Sequence, residues 1–262
     1  MGKSKVVLLV GVLVVAVMLA TAACGQQKPS STNTQLPVLK VGSEVAYAPF
    51  EAVDPKTGDF VGFDIDLIKA IGKAAGMDVQ IQNIAWDGLI PALQQGQVDL
   101  VISAMTITDK RAQQVLFSDP YFTTGQVIGV KAGSNVKTPD DLKGKKVGVQ
   151  ANTTGDYAAS AIPGVNVVRY ETTPDAFNAL KNGEVDAVVV DEMTLAAYLQ
   201  ENPNSGIVKA APPFTVEYYG MAMRKDDTAL AQKINQALAQ VKASGEYQKI
   251  YDTWLTPLLG QH

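Results

Sequence analysis

ALQQGQVDLVI, residues 92–102, recurs further along the chain as ALKNGEVDAVV, residues 179–189, with alanine, leucine, glycine, valine and aspartate in register. In each copy the pattern indicates the end of a helix, then a glycine in the left-handed conformation, then a short strand. The apolar run of each strand is typical of a strand buried on both faces of a parallel sheet. We therefore predict an α/β protein with two copies of one unit, each in its own lobe.

The segments around each copy predict the same order of elements, β-α-β-α-β. In the first lobe the predicted strands cover residues 38–42, 79–81 and 98–102, and the predicted helices have Asp64 and Asp87 as N-caps. In the second lobe the predicted strands cover residues 146–149, 165–169 and 185–190, and the predicted helices begin near Gly155 and cover 174–182 and 192–201. Alternation of strands and helices favours parallel sheets.

Two apolar extended segments, residues 126–131 and 217–223, lie between the predicted lobes. We interpret them as two antiparallel crossing strands that together form a hinge. The chain then leaves the first lobe, builds the second and returns. On this interpretation lobe 1 comprises residues 38–127 plus 220–262, and lobe 2 comprises residues 128–219.

The composition excludes several kinds of chemistry. The only histidine is His262 and the only cysteine is Cys24, so a histidine-dependent triad, a disulfide and a cysteine-based metal site are excluded. Because the chain also has no glycine-rich phosphate loop, we expect no cofactor and no metal. The formal net charge is −4, and residues 1–23 carry two lysines and no acid, so their removal gives −6. That balance argues against a nucleic-acid partner.

Residues 1–23 have the features of a secretory signal peptide, with lysines ahead of an apolar run that ends in small residues. Residues 24–37 are polar and without periodicity, which predicts a disordered tether. The residues before Cys24 resemble a bacterial lipoprotein cleavage box, although Thr21 stands where a leucine or valine is usual. We predict lipidation of Cys24 and a domain held by that anchor alone at the outer face of a bacterial membrane. Ordinary cleavage after one of the two preceding alanines is the alternative.

The two repeated units differ in the residues that come after the strand. AMTITDKR, residues 104–111, places Arg111 just inside a predicted helix start, whereas the position equivalent to Ala104 in the second copy is Asp191. Ligands of open α/β sheets lie outside the carboxyl ends of the strands. A guanidinium and a carboxylate across one cleft suit a zwitterion, and Thr106 adds donors near the helix start. A surface arginine and a helix N-cap aspartate are the structural alternatives.

The chain contains, in this order, PFEAVDPKTGDFVGFDIDL (49–67), AMTITDKR (104–111), FSDPYF (117–122), GVQANTTG (148–155), DAVVVD (186–191) and EYYGM (217–221). Together these segments resemble the extracytoplasmic solute-binding proteins of family 3, which take polar amino acids and feed ABC importers. The resemblance covers essentially everything from Val38 to Leu259. It implies a two-lobed periplasmic-binding-protein-like α/β fold, type II, with two hinge crossings. It also implies an amino-acid ligand and an importer permease as partner, and we expect a monomer without enzymatic activity.

The resemblance also implies a set of ligand-binding residues. Tyr47 and Trp86 match the aromatic positions that sandwich the ligand side chain, although isolated aromatic residues are more often core. Gln150, Thr153 and Thr154 lie in a turn that can close over the ligand carboxylate, although such threonines are also common loop residues. The predicted ligand-binding residues are Glu44, Tyr47, Trp86, Ala104, Met105, Thr106, Arg111, Gln150, Thr153, Thr154 and Asp191.

Glu44 is predicted to recognise the far end of a long ligand side chain, and for a glutamine ligand Gln150 would complete the network; the alternative is a glutamate that points to solvent. A carboxylate and aromatic faces favour a guanidinium or ammonium. The turns GVQANTTG and EYYGM look closest to family members that take basic amino acids. We therefore expect arginine first, with lysine and histidine weaker, and glutamine as the alternative. An alternative of another class is a cyclohexadienyl-dehydratase-like enzyme that uses Glu44 as general acid.

Overall fold

The computed structural model describes residues 36–259. The predicted signal peptide, Cys24, most of the predicted tether and residues 260–262 lie outside the described residues. From the start of the described chain to the first crossing, the elements are β1 (Val38–Ser43), β2 (Ala52–Val53), β3 (Phe60–Val61), α1 (Phe63–Ala75), β4 (Asp78–Asn83), α2 (Trp86–Gln94), β5 (Leu100–Val101), α3 (Asp109–Ala112), β6 (Val115–Phe117) and β7 (Phe122–Thr124).

The remaining elements build the second sheet and return to the first. They are β8 (Gln126–Lys131), β9 (Lys146–Gln150), α4 (Thr154–Ser160), β10 (Asn166–Tyr170), α5 (Thr173–Asn182), β11 (Ala187–Asp191), α6 (Glu192–Glu201), β12 (Ile207–Lys209), β13 (Glu217–Tyr219), β14 (Ala222–Arg224), α7 (Thr228–Ala243) and α8 (Glu246–Trp254). Short 3-10 helices cover Pro139–Leu142 and Thr256–Leu258. Among residues 36–259, no helix combines the length and the apolar character that crossing a membrane requires.

Two five-stranded sheets form the two lobes. The first has the strand order β4-β1-β5-β14-β6, with β1 parallel to both β4 and β5. The second has the order β10-β9-β11-β8-β12, with β9 parallel to both β10 and β11. In both lobes the first parallel strand therefore lies between the second and the third, which confirms the repeat of one α/β unit.

The prediction that residues 126–131 cross between the lobes is wrong. This segment is β8, which pairs with β11 and β12 inside the second sheet. The paired crossing strands are β7 and β13, which run antiparallel with Phe122 opposite Tyr219 and Thr124 opposite Glu217. Five of the six residues of β8 are buried, so its apolar pattern reflects a covered strand rather than a connection.

The two repeated units keep their glycines in the conformation that the sequence predicts. Gly96 has φ 71° and Gly183 has φ 78°, the left-handed region in which only glycine lacks a steric cost. The strand of the first copy is shorter than predicted, because only Leu100–Val101 is extended and paired. The strand of the second copy continues to Asp191, which places that carboxylate at the end of the sheet.

Neither predicted N-cap of the first lobe is a cap. Gly62 occupies the N-cap position of α1 with φ 134°, and a Cβ there would lie 2.2 Å from the carbonyl oxygen of Phe50. Only glycine tolerates this close approach to the backbone of Phe50, so Gly62 and not Asp64 occupies the N-cap position. Asp64 is instead fully buried in the first turn of the helix. Asp87 lies in the first turn of α2, whose N-cap position is occupied by Ala85.

Candidate functional site

A cavity lies between the two lobes, at the carboxyl ends of the central strands of both sheets. Its empty volume is about 300 Å³. Every predicted ligand-binding residue except Met105 lines it, and two lining residues, Glu51 and Ser103, were not predicted. The lining residues are Glu44, Tyr47, Glu51, Trp86, Ser103, Ala104, Thr106, Arg111, Gln150, Thr153, Thr154 and Asp191.

The side chain of Met105 departs from the prediction. It is 1% exposed and packs in an apolar cluster of the first lobe with Leu89 and Leu93. The preceding residue, Ala104, has φ 45°, so the chain turns sharply where the strand ends. Only the backbone of Met105 faces the second crossing, where its carbonyl oxygen accepts a hydrogen bond from Gly220 N at 3.0 Å.

Arg111 supplies the positive end of the cavity. Thr108 caps the short helix α3 by accepting a hydrogen bond from Arg111 N, which fixes the backbone from which the guanidinium extends. The guanidinium is buried, and it donates to the carbonyl oxygens of Thr106 at 2.8 Å and of Asn152 at 3.5 Å. It lies over the ring of Trp86, 4.9 Å from the centroid. Burial lowers the pKa of this guanidinium.

No carboxylate of residues 36–259 forms an ion pair with Arg111. A buried guanidinium is stable when its donors are satisfied and its charge is compensated. The Arg111 guanidinium is held by backbone carbonyl groups and a ring face, which satisfy donors without supplying a negative charge. The arrangement therefore favours an anionic ligand group beside it.

Asp191 supplies the negative end. It occupies the N-cap position of α6 but makes no capping hydrogen bond through its side chain. Its Oδ2 accepts a hydrogen bond from the Tyr47 hydroxyl of the other lobe, while its buried Oδ1 has no partner among the described residues. Burial, together with the nearby charge of Glu217, raises the pKa of the Asp191 carboxyl to about 6. An unpartnered buried carboxylate oxygen favours a ligand donor such as an ammonium group.

A second polar network joins the lobes at the far end of the cavity. The amide nitrogen of Gln150 donates to both carboxylate oxygens of Glu44, at 2.9 Å and 2.8 Å. Thr173 Oγ1 donates to the amide oxygen of Gln150 at 2.9 Å, which fixes the orientation of that amide. Burial raises the pKa of Glu44. Glu44 therefore points into the cavity and not to solvent.

The threonines of the cavity have different roles. Thr153 caps α4 by accepting from Asp156 N at 3.2 Å, and its hydroxyl donates to the carbonyl oxygen of Gln150 at 2.8 Å. Thr106 donates from its hydroxyl to Glu217 at 2.8 Å. Its hydroxyl oxygen lies 3.4 Å from that of Thr154 in the second lobe. Thr153 is therefore held as a helix cap, whereas Thr106 and Thr154 face each other across the cleft.

The sequence pattern did not predict two of the lining residues. Glu51 is fully buried, and its Oε1 accepts a hydrogen bond from Ser103 Oγ at 3.0 Å. The same Ser103 hydroxyl accepts from the backbone N–H of Glu44 at 3.0 Å. The backbone of Glu51 pairs with that of Tyr47 in a tight loop, which brings the Glu51 side chain to the cavity. No periodicity in the sequence predicts such a loop. The signal that was present is a carboxylate directly after the apolar pair Pro49 and Phe50.

Two lobes, two crossing strands and a cleft with buried charges of both signs define a two-lobed solute-binding protein. The model of the bacterial extracellular solute-binding proteins, family 3, matches residues 39–257. The chain belongs to this family, as the resemblance of its motifs predicts.

Individual relatives match over nearly the whole chain. The "Probable histidine-binding protein" of Neisseria gonorrhoeae is 42% identical over 251 residues, which are 93% of this chain and 93% of that protein. The "ABC transporter arginine-binding protein 1" of Escherichia coli K12 is 38% identical over 246 residues, 92% of this chain and 98% of that protein. Among solved structures, "An ancestral arginine-binding protein bound to glutamine" matches with a TM-score of 0.80 and 47% identity, covering 83% of this chain and 97% of that one.

Proposed function

We propose that this protein captures one basic amino acid, arginine first, in the cavity between its lobes and delivers it to an ABC importer. The observation that carries the proposal is the separation of charges within one cavity. Arg111 and Asp191 suit the carboxylate and ammonium groups common to all α-amino acids. Glu44 and Glu51 suit a second positive charge at the far end of a long side chain.

The relatives support this assignment. The names of two of them specify histidine and arginine, and one of these names also specifies an ABC transporter. Glutamine is the second candidate, because a solved arginine-binding relative also holds glutamine. The network of Glu44 and Gln150 can accept an amide donor as well as a guanidinium.

Isothermal titration against each standard amino acid tests the proposal. We expect a micromolar or tighter site for arginine, which corresponds to a binding free energy of about 8 kcal/mol or more. Lysine and histidine are expected to bind more weakly. Titration heats for glutamine alone would replace the basic assignment with the glutamine assignment, and no heats for any amino acid would overturn both.

We propose that the protein binds its ligand without chemical turnover. The general acid of a dehydratase would be Glu44, but both of its carboxylate oxygens accept from the amide of Gln150, which favours the ionised acceptor over a protonated donor. Incubation of the purified protein with prephenate or arogenate, followed by product analysis, is expected to show no conversion. Conversion that disappears in Glu44→Gln would establish the enzyme.

We also propose that the mature protein acts as a monomer, with the boundary between its lobes at β7 and β13 and not within β8. The lobes close about β7 and β13, so that both bind the same ligand. Small-angle scattering with and without arginine checks this proposal. A decrease in the radius of gyration at constant mass is expected, and a ligand-dependent change of mass would contradict the monomer.

We propose that Cys24 carries a lipid anchor. In a bacterial host, Cys24→Ser is expected to move the protein from the membrane fraction to the exported soluble fraction, because residues 36–259 contain no helix that could hold it there. Ser30→Ala in the predicted tether is the matched control and is expected to stay with the membrane. Unchanged membrane retention of Cys24→Ser would contradict the anchor.

A further inference from the structure

A pair of neighbouring carboxyl groups lies at the wall of the cavity. Glu51 and Asp64 are both fully buried, and Glu51 lines the cavity. Ser103 Oγ donates to Glu51 Oε1 at 3.0 Å. Asp64 Oδ2 accepts from Ala104 N at 2.7 Å and from the Tyr121 hydroxyl at 2.6 Å. Each carboxyl group therefore has one oxygen held by the first lobe.

The other two oxygens have an unmet hydrogen-bond requirement. Among residues 36–259, Glu51 Oε2 and Asp64 Oδ1 have no partner as carboxylates. Each carboxyl group is close enough to the other to hydrogen-bond with it when one of them is protonated. Two ionised carboxylates cannot hydrogen-bond to each other, because both only accept. One proton on the pair makes one of the two groups a hydrogen-bond donor. Burial raises the pKa of both groups, to about 7 for Asp64, and the charge of Asp64 raises that of Glu51 further. One shared proton satisfies both oxygens.

Among residues 36–259, no cation compensates the charge of this pair. The titratable groups that face it from neighbouring elements are Glu44, Tyr121 and Tyr247, none of which is positive. Within residues 36–259, neither carboxyl group forms an ion pair with a lysine or arginine. The pair with its proton carries one negative charge, and without the proton it carries two in a dry site.

We propose that Glu51 and Asp64 share one proton while no cationic side chain occupies the cavity, and that a guanidinium or ammonium entering beside Glu51 expels it. This inference rests on the proposed function. One positive charge enters as another leaves, so the charge buried at the wall stays constant. A neutral side chain leaves the proton in place. The pair thereby discriminates between cationic and neutral ligands of similar shape.

The linkage has a defined sign. Because the proton is released on binding, a rise in pH strengthens the binding of a cationic ligand, by at most about tenfold per pH unit, up to the raised pKa at which the empty pair loses that proton. Above the pKa of the empty site the proton is already gone, and the dependence levels off. A neutral ligand shows no such contribution from the pair.

Two other acids of the cavity could release protons and must be separated from the pair. Asp191, with a pKa raised to about 6, faces the α-amino end and responds to every amino acid alike. L-citrulline, the neutral urea analogue of arginine, has the same α-groups, so the excess release with arginine isolates the side-chain end. Glu44, whose pKa burial also raises, lies at that end and is separated by substitution.

The experiment is titration calorimetry of arginine and L-citrulline at about pH 7.5, above the pKa of Asp64, in buffers of different protonation enthalpy, which counts the protons released. Wild type is expected to release up to about one proton more with arginine than with citrulline. Glu51→Gln is expected to lose this excess, because its amide can donate to Asp64 without a titrating proton. Glu44→Gln is expected to keep it. Asp59→Asn, an exposed acid between β2 and β3, is the matched control and behaves as wild type.

The outcomes separate this inference from the proposed function. Normal arginine binding that releases no more protons than citrulline binding overturns the shared proton. It leaves the proposed function intact. Excess release that survives Glu51→Gln but disappears in Glu44→Gln assigns the proton to Glu44 and also overturns the inference. No binding of any basic amino acid overturns both. Where Glu51→Gln does not fold, Asp64→Asn gives the same comparison, and where citrulline does not bind, arginine with the variants decides.

Discussion

The two lobes end the same structural unit in different ways. In the first, β5 stops at Val101 and the chain turns through Ala104, with φ 45°, toward Arg111 on a short helix. In the second, β11 stays extended as far as Asp191. The shared scaffold fixes where a ligand meets the two sheets. The residues after each strand, which are not repeated, decide which charge it meets.

The two charged groups also differ in the contacts that hold them. Arg111 donates to a carbonyl oxygen of its own lobe and to that of Asn152 in the other lobe. Asp191 makes its one side-chain hydrogen bond to Tyr47 of the other lobe. The guanidinium of Arg111 is therefore held mainly by its own lobe, whereas the carboxylate of Asp191 is held by the other lobe. Substitutions at the two ends can test this asymmetry.

The largest effect is expected at the positive end. Arg111→Ala removes hydrogen bonds to a charged group worth about 3 kcal/mol, which weakens amino-acid binding about 100-fold or more. Arg111→Lys is not expected to restore it, because an ammonium cannot make the two-point contact of a guanidinium. Titration calorimetry measures both. Arg169→Ala, at a half-exposed arginine of the second lobe, is the control, and wild-type affinity in Arg111→Ala would remove this residue from the site.

The negative end is expected to be nearly as sensitive. Asp191→Asn keeps an oxygen acceptor for Tyr47 but loses the charge opposite a ligand ammonium, so we expect a loss of roughly 30- to 100-fold. Every α-amino acid should be affected alike in titrations. Asp186→Asn, just before the same strand, is the matched control. A loss confined to one ligand would show that Asp191 recognises side chains instead.

The sequence predicted these two ends because strand order and the repeat together determine which residues meet at a sheet edge. It did not predict Glu51, which reaches the cavity through a tight loop at Tyr47 that no regular spacing encodes. It misplaced the first crossing, because the apolar pattern of residues 126–131 fits a buried strand and a connecting strand equally well. Met105 was misassigned because side-chain direction after a left-handed residue cannot be derived from strand alternation.

The far end of the cavity gives an intermediate effect. Glu44→Gln removes the negative charge that Gln150 now holds through two hydrogen bonds, so arginine affinity should fall by about 1.5 to 3 kcal/mol. Glutamine affinity should change little, because an amide pairs with an amide as well as with a carboxylate. Titration of both ligands measures the difference. Equal losses for both ligands would mean that Glu44 supports closure rather than charge recognition.

The smallest expected effect concerns a hydrogen bond that occurs at the same position in both lobes. Just before the third parallel strand of each lobe, an aspartate side chain accepts a hydrogen bond from the backbone of the neighbouring strand. Asp99 Oδ2 accepts from Lys40 N at 3.1 Å, and Asp186 Oδ2 accepts from Lys146 N at 2.8 Å. Asp99 also lies 3.4 Å from the guanidinium of Arg224, a contact that has no counterpart at Asp186 among the described ion pairs.

Asp186→Ala should therefore lower the free energy of unfolding by about 1 kcal/mol, the typical contribution of one hydrogen bond. Asp99→Ala should lower it by up to about 1 kcal/mol more, because a partly exposed ion pair is lost as well. Both aspartates lie at the amino ends of their strands, away from the cavity, so arginine affinity should stay unchanged in both variants. Denaturant unfolding measures the stability, and titration measures the affinity. Equal destabilisation of the two variants would leave Arg224 without a stabilising role, and a loss of affinity would mean that strand pairing and ligand binding are coupled.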